Sequence, residues 1–214
     1  MILQEVLDGV YEVTTDLEEE VWRRCLSELE CCQSMERNTP FSEPDLGART
    51  LLVQGEACDS VVAYFRSLAW LEKIVALCRQ DRQWNLNWPT PSVDWFRHHT
   101  KFYWEWFVVP AEYNGHEYHV DCLMQVVHGL MFITARHDPN STTLFRDPSD
   151  GREIAITTGF NRGWIVLQNG QQAHRGININ LPVRFKDESY AEFRRRETTE
   201  RQRYTFKWGF SLQS

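Results

Sequence analysis

The 214-residue sequence contains no long hydrophobic run: its longest apolar stretches, such as residues 61–65 and 131–134, fall far short of the roughly 20 residues a membrane-spanning helix needs. The opening MILQEVLDGVYEV has neither the basic segment nor the apolar core of an export signal, so a cytoplasmic location is expected. CxxC pairs are also missing. The six cysteines, Cys25, Cys31, Cys32, Cys58, Cys78 and Cys122, lie in or beside apolar periodic segments, which predicts reduced, mostly buried thiols and no disulfide framework. An excess of basic residues is absent too. The net charge of −7 argues against general nucleic-acid binding, which needs clustered Lys and Arg to neutralise phosphates. No GxGxxG or Walker A sequence is present, so nucleotide binding has no support, and there is no internal repeat or low-complexity tract.

What the chain has in quantity is aromatic side chains, 9 Trp, 7 Tyr and 12 Phe, which suit a sandwiched core or a walled pocket better than a plain helical bundle. Its acidity is local. Residues 1–46 carry twelve acids against three bases, so the remaining chain is close to neutral. Within 16–35 the apolar positions Leu17, Val21, Trp22, Cys25, Leu26, Leu29 and Cys32 recur at helical spacing behind an acidic first turn, predicting an amphipathic helix. A loop with Pro40, Pro44 and Gly47 follows, and Asp59 or Ser60 caps a second predicted helix reaching about Arg79. Pro89 and Pro91 are expected to close the helical part. Beyond them the period falls to 2. Segments 101–109, 115–126, 130–135, 142–145, 152–157, 164–168, 177–185 and 204–210 read as short strands, with explicit turns at 138–140 and 147–151. These predict an antiparallel jelly-roll or double-stranded β-helix over 92–214, with a helical segment, 1–91, packed on it as part of one compact domain.

The sharpest chemical signal is His119-Val120-Asp121, inside a predicted strand. Residues i and i+2 of a strand project to one face, so an imidazole and a carboxylate can converge on one metal ion. The same tripeptide also fits a hydrogen-bonded histidine beside a surface aspartate. His174, 53 residues after Asp121, offers a third ligand, and two histidines with one carboxylate form the facial triad of non-haem Fe(II) oxygenases. Arg184 follows ten residues later, alternating with Ile177, Ile179, Leu181 and Val183. It reads either as a solvent-facing strand residue or as a bidentate partner for the distal carboxylate of a dicarboxylate co-substrate.

The pattern HxD, about fifty residues, His, ten residues, Arg resembles the Fe(II)- and 2-oxoglutarate-dependent dioxygenases, and more narrowly their prolyl-hydroxylase-like branch. Tyr113, Gly115 and Tyr118 before HxD, Thr143-Leu144-Phe145, and the segment from Gly163 to Gly170 before His174 resemble that branch as well. The resemblance implies that His119, Asp121 and His174 bind Fe(II), that Arg184 pairs with the C5 carboxylate of 2-oxoglutarate, and that the co-substrate leaves as succinate and CO2 while a C–H bond is hydroxylated with O2. Because Asp121 is present, it implies oxygenation and not halogenation. Gln125 and His128 are further candidates for the co-substrate carboxylates, each equally readable as an ordinary polar strand residue. Tyr113, Tyr118 and Trp164 are candidate cavity walls or core, and Glu117 is a ligand-orienting group or a rim carboxylate.

The expected activity is hydroxylation of a free amino acid or similar small metabolite. A peptide or protein residue is the next candidate, followed by a non-catalytic cupin-like binding protein on the same fold, or an O2-using metal enzyme without 2-oxoglutarate. No nucleic-acid or membrane partner is expected, and the sequence does not fix the oligomeric state.

Overall fold

The computed structural model describes residues 2–32, 34–35, 49–109, 118, 124–133, 141–167, 173–178, 189 and 203–213. Among them are eleven strands and five helices. The strands are β1 (Ile2–Leu7), β2 (Val10–Thr14), β3 (Ser34–Met35), β4 (Arg49–Leu51), β5 (Thr100–Val109), β6 (Gln125–Phe132), β7 (Ser141–Arg146), β8 (Glu153–Thr157), β9 (Arg162–Leu167), β10 (Ala173–Asn178) and β11 (Arg203–Leu212). The helices are α1 (Glu19–Glu30), α2 (Glu56–Arg66), α3 (Leu68–Gln80), α4 (Arg82–Asn87) and α5 (Val93–His99). None of these helices is long and apolar enough to cross a membrane.

The strands form two antiparallel sheets. The large one runs β1-β2-β9-β6-β11-β5-β4-β3 and the small one β10-β7-β8. From β5 and β6 in the large sheet the described strands pass to β7 and β8 in the small one, back to β9, across to β10 and back to β11, the jelly-roll pattern expected from the sequence. Period-2 alternation gives each strand of the large sheet two distinct faces. Val127 and Met131 of β6, Ile165 and Leu167 of β9, and Phe206, Trp208 and Phe210 of β11 pack against Trp22, Val61, Phe65 and Trp70 of the helices. Phe132, Trp164 and Val166 point the other way, toward Phe145 and Ile156 of the small sheet. The 147–151 turn forms as predicted: Asp147 Oδ1 accepts from the Ser149 amide at 2.8 Å, and Gly151 takes a φ of +74°.

Several expectations are corrected. The second predicted helix is two, because Ser67 leaves helical geometry and its Oγ accepts from the Trp70 amide at 3.1 Å, capping α3. Pro89 and Pro91 do not end the helical part, since α5 follows them, capped by Ser92 Oγ. The N-terminal segment is not purely helical, because β1 and β2 form a hairpin that extends the large sheet beside β9. β6 runs unbroken from Gln125 to Phe132 across the gap predicted between the 115–126 and 130–135 strands, Tyr118 is a bend and Met124 a turn within the predicted 115–126 strand, and β10 starts at Ala173 rather than 177. Cys25, Cys58 and Cys78 are buried as expected, whereas Cys31 is exposed, and no disulfide links the described cysteines.

Candidate functional site

Two of the sequence-predicted residues, His174 and His128, lie buried in the space between the sheets. β10 pairs with β7 so that His174 lies opposite Phe145. Its imidazole is 7% exposed and points inward, with ring centroids 5.4 Å from Phe145, 5.3 Å from Trp164 and 6.4 Å from His128. Aromatic walls on two sides fix the ring by packing. Trp164 is fixed in turn, its indole N–H donating to Thr143 Oγ1 at 3.1 Å.

His128 enters the same space from β6. It is buried, its Nδ1 lies 2.6 Å from the Tyr103 hydroxyl on β5, and its ring is 5.1 Å from Trp164. Gly209 makes room for this pair, since a Cβ at that position would stand 2.6 Å from the Tyr103 hydroxyl. Gln125 begins β6 with its Oε1 buried and without a hydrogen-bond partner among the described residues.

One residue the sequence reading passed over stands out on the same inner face. Arg203 begins β11, is 5% exposed, donates from Nη1 to the Thr142 carbonyl at 3.2 Å, and lies 5.7 Å from the Phe132 ring. Ser141 Oγ, on the inward side of β7 one alternation from Thr143, is buried without a partner among the described residues. From His174, opposite Phe145, to Arg203, at Thr142, is three residues along β7, or about 10 Å.

His119, Asp121 and Arg184 lie outside the described residues, as do Tyr113 and Glu117. Tyr118 is described and does not wall the cavity. Its side chain lies on the outer face of the small sheet, where the hydroxyl donates to Glu153 Oε1 at 2.6 Å. Trp164 does line the inner space. His98 and His99 end α5, exposed and directly before β5. Among the described residues, the one cluster of three possible ligand side chains is Glu5, Asp8 and Asp81, beside β1 and α3 and apart from His174. Asp81 there is already committed, accepting from the Tyr11 hydroxyl and the Trp84 amide.

Of the donor set that the sequence motif offers, two imidazoles and one carboxylate of the kind that suits a ferrous ion with open positions, the described residues contain His174. A buried guanidinium and a buried hydroxyl farther along the same inner space suit a carboxylate.

No protein-family model matches the chain, and no curated protein matches it in sequence. Solved structures do. A prolyl-4-hydroxylase from Pseudomonas putida superposes with a TM-score of 0.61 at 14% identity, over 95% of this chain and 93% of that one. A prolyl hydroxylase from Trichoplax adhaerens, in complex with a hypoxia-inducible-factor oxygen degradation domain peptide fragment, gives 0.63 at 10% identity, over 95% and 84%. An oxidoreductase of the 2OG-Fe(II) oxygenase family from Burkholderia pseudomallei gives 0.57 at 5%, over 95% and 84%. At these identities the likeness is one of architecture, and the chain has the jelly-roll fold of the 2-oxoglutarate- and Fe(II)-dependent oxygenases.

Proposed function

We propose that the protein is an Fe(II)- and 2-oxoglutarate-dependent dioxygenase that hydroxylates an unactivated C–H bond of a free amino acid or similar small metabolite. The observation that carries this reading is the shared inner face of His174 and Arg203, about three residue steps apart along β7. That span matches a five-carbon dicarboxylate held at one end beside a metal and at the other by a guanidinium. In this reading His119, Asp121 and His174 hold the ferrous ion. When bound, the ion, 2-oxoglutarate and O2 supply the oxidising chemistry, and the co-substrate leaves as succinate and CO2. The chain's own work is positioning and exclusion of water. Phe145 and Trp164 keep the His174 ring in one orientation, and Arg203 with Ser141 supplies charge and a hydroxyl for the distal carboxylate. His128, tied to Tyr103, and Gln125 remain candidates for the same co-substrate.

Two arginines compete for the carboxylate, Arg184 by its interval from His174 and Arg203 by its burial on the inner face. Succinate release measured against 2-oxoglutarate concentration separates them. Arg203→Met is expected to raise the half-saturating concentration at least about tenfold, the effect of losing a charge-assisted hydrogen bond, with Arg184→Met close to wild type. The reverse result assigns Arg184, and no effect of either overturns the use of 2-oxoglutarate. A screen of amino acids and peptides for substrate-triggered succinate tests the substrate class. Stimulation by peptides alone favours the second reading, a peptide-bound residue, which the peptide complex of the Trichoplax enzyme supports. A flat response to both classes overturns the enzyme reading in favour of a cupin-like binding protein.

A further inference from the structure

Two thiols meet in the helical layer. Cys25, midway along α1, and Cys58, in the first turn of α2, are 0% and 1% exposed, and their Sγ atoms lie 3.2 Å apart. Cys58 Sγ also lies 3.8 Å from the Cys25 carbonyl oxygen. The same two helices are fastened a second time by Glu28, whose carboxylate accepts from the Ala57 and Cys58 amides. Glu28 stands three residues after Cys25, so one face of α1 makes both contacts. Among the described cysteines this is the one pair of sulfurs in contact. Cys78 is equally buried without a sulfur neighbour among the described residues, and Cys31 is exposed.

A disulfide holds its sulfurs about 2.0 Å apart, so the pair needs to close by only about 1 Å. The reduced form is nevertheless protected. Its hydrogen bond with Cys25, then burial, push the Cys58 thiol up, and the neighbouring Glu28 adds to the effect. A helix N-terminus by itself favours a thiolate, but here the Glu28 carboxylate already occupies the amides. The thiolate is the reacting form, so the first attack on an oxidant is slow. The second step is not. Once one sulfur is oxidised its partner is already in contact, and an attack within the molecule from that distance outruns any from solution.

We propose that Cys25 and Cys58 are a redox pair that hydrogen peroxide closes into a disulfide, stapling α1 to α2. One thiol attacks the peroxide O–O bond, which breaks to release water and leaves a sulfenic acid on that sulfur. The other thiol displaces the sulfenic oxygen as a second water. Two S–H bonds are thus exchanged for one S–S bond, and the peroxide takes up both electrons and both protons. The cysteines are 33 positions apart, and a cross-link over such a loop restricts the unfolded chain. The effect reaches the sheet, because α2 packs Phe65 on Phe206 and Trp208 of β11.

The test treats the full chain with hydrogen peroxide, alkylates the remaining thiols under denaturing conditions and maps the peptides by mass. A cross-link between Cys25 and Cys58 is expected, with Cys78 still alkylated and oxygen adducts at Cys31. The oxidised protein should unfold at a urea midpoint raised by about 1 M. Cys58→Ala should abolish the shift. Dithiothreitol should also reverse it in the wild type, which serves as the control if the variant does not fold. Cys25 and Cys58 both alkylated after Cys31 has been oxidised would overturn the redox pair. A cross-link that leaves the midpoint where it was would overturn the staple.

Discussion

The two faces of the large sheet are built from the same strands and do different work. On the helix side, Phe65, Trp70, Phe206 and Trp208 pack with centroids 4.6 to 5.3 Å apart in edge and tilted arrangements. The indole N–H groups of Trp22, Trp70 and Trp208 have no hydrogen-bond partner among the described residues. On that face an indole is valued for its volume. Among the described residues the apolar cluster on the inner face is small, and it is interrupted by His128, His174, Arg203, Thr143 and Thr205, all buried. There the one tryptophan, Trp164, does donate, to Thr143. Burying polar groups costs free energy unless each is satisfied. A sheet that carries them on one face therefore needs surplus apolar burial on the other. The contrast explains the opening composition: the abundant aromatics form the support for a polar interior.

Substitutions on the two faces should accordingly separate stability from ligand binding. Trp208→Ala opens the helix-side core and is expected to cost about 3–5 kcal/mol in urea unfolding, with His174 and its surroundings intact in whatever fraction remains folded. His174→Ala should change unfolding by no more than about 1 kcal/mol, while removing metal binding. If His174→Ala proves the more destabilising of the two, the division of labour fails. Next in size is Gly129→Val. A Cβ at Gly129 would lie 2.5 Å from the Trp208 ring, which cannot retreat, so the variant should lose about 1–3 kcal/mol by overpacking.

The smallest effect belongs to the helical layer. The Glu28 carboxylate of α1 caps α2, accepting from the Ala57 amide at 2.9 Å and the Cys58 amide at 2.8 Å. Burial alone would raise its pKa, but these two hydrogen bonds outweigh it and hold the group below its ordinary 4.5. The stabilisation is thus fully present above about pH 4.5, the unfolded value, and fades as the pH falls through the lower folded value. Glu28→Gln should cost about 1 kcal/mol near pH 7. The gap to wild type should close in acid, and a gap independent of pH would contradict the capping role.

How far the sequence could be read follows from the same contrast. Alternation in 204–210 revealed a strand, with Tyr204, Phe206, Trp208 and Phe210 on one side. Carried back one residue, the same alternation puts Arg203 with Thr205 and Lys207 on the other side, where polar residues ordinarily face solvent. Here both faces are covered, so Arg203 is buried and its place 29 residues after His174 gave no cue. Periodicity separates two faces without saying which is inside. The break between α2 and α3 was hidden for a related reason, since the apolar phase runs on through Ser67 and only its capping bond marks the end. The β1–β2 hairpin was missed because its strand β1 is largely exposed and carries little of the alternation that a buried strand imposes. His174 was legible in the sequence through the spacing of the motif alone, since the predicted strand began only at 177, and the structure puts it in β10 on the inner face between the sheets.

The central claim is that the interior beside His174 is a ferrous site that takes 2-oxoglutarate. Anaerobic addition of Fe(II) and 2-oxoglutarate to the metal-free protein tests it directly through the weak visible charge-transfer absorption of the chelated pair. The account predicts that band in the wild type and its loss in His174→Ala. No band in the wild type, or an undiminished band in the variant, would contradict it.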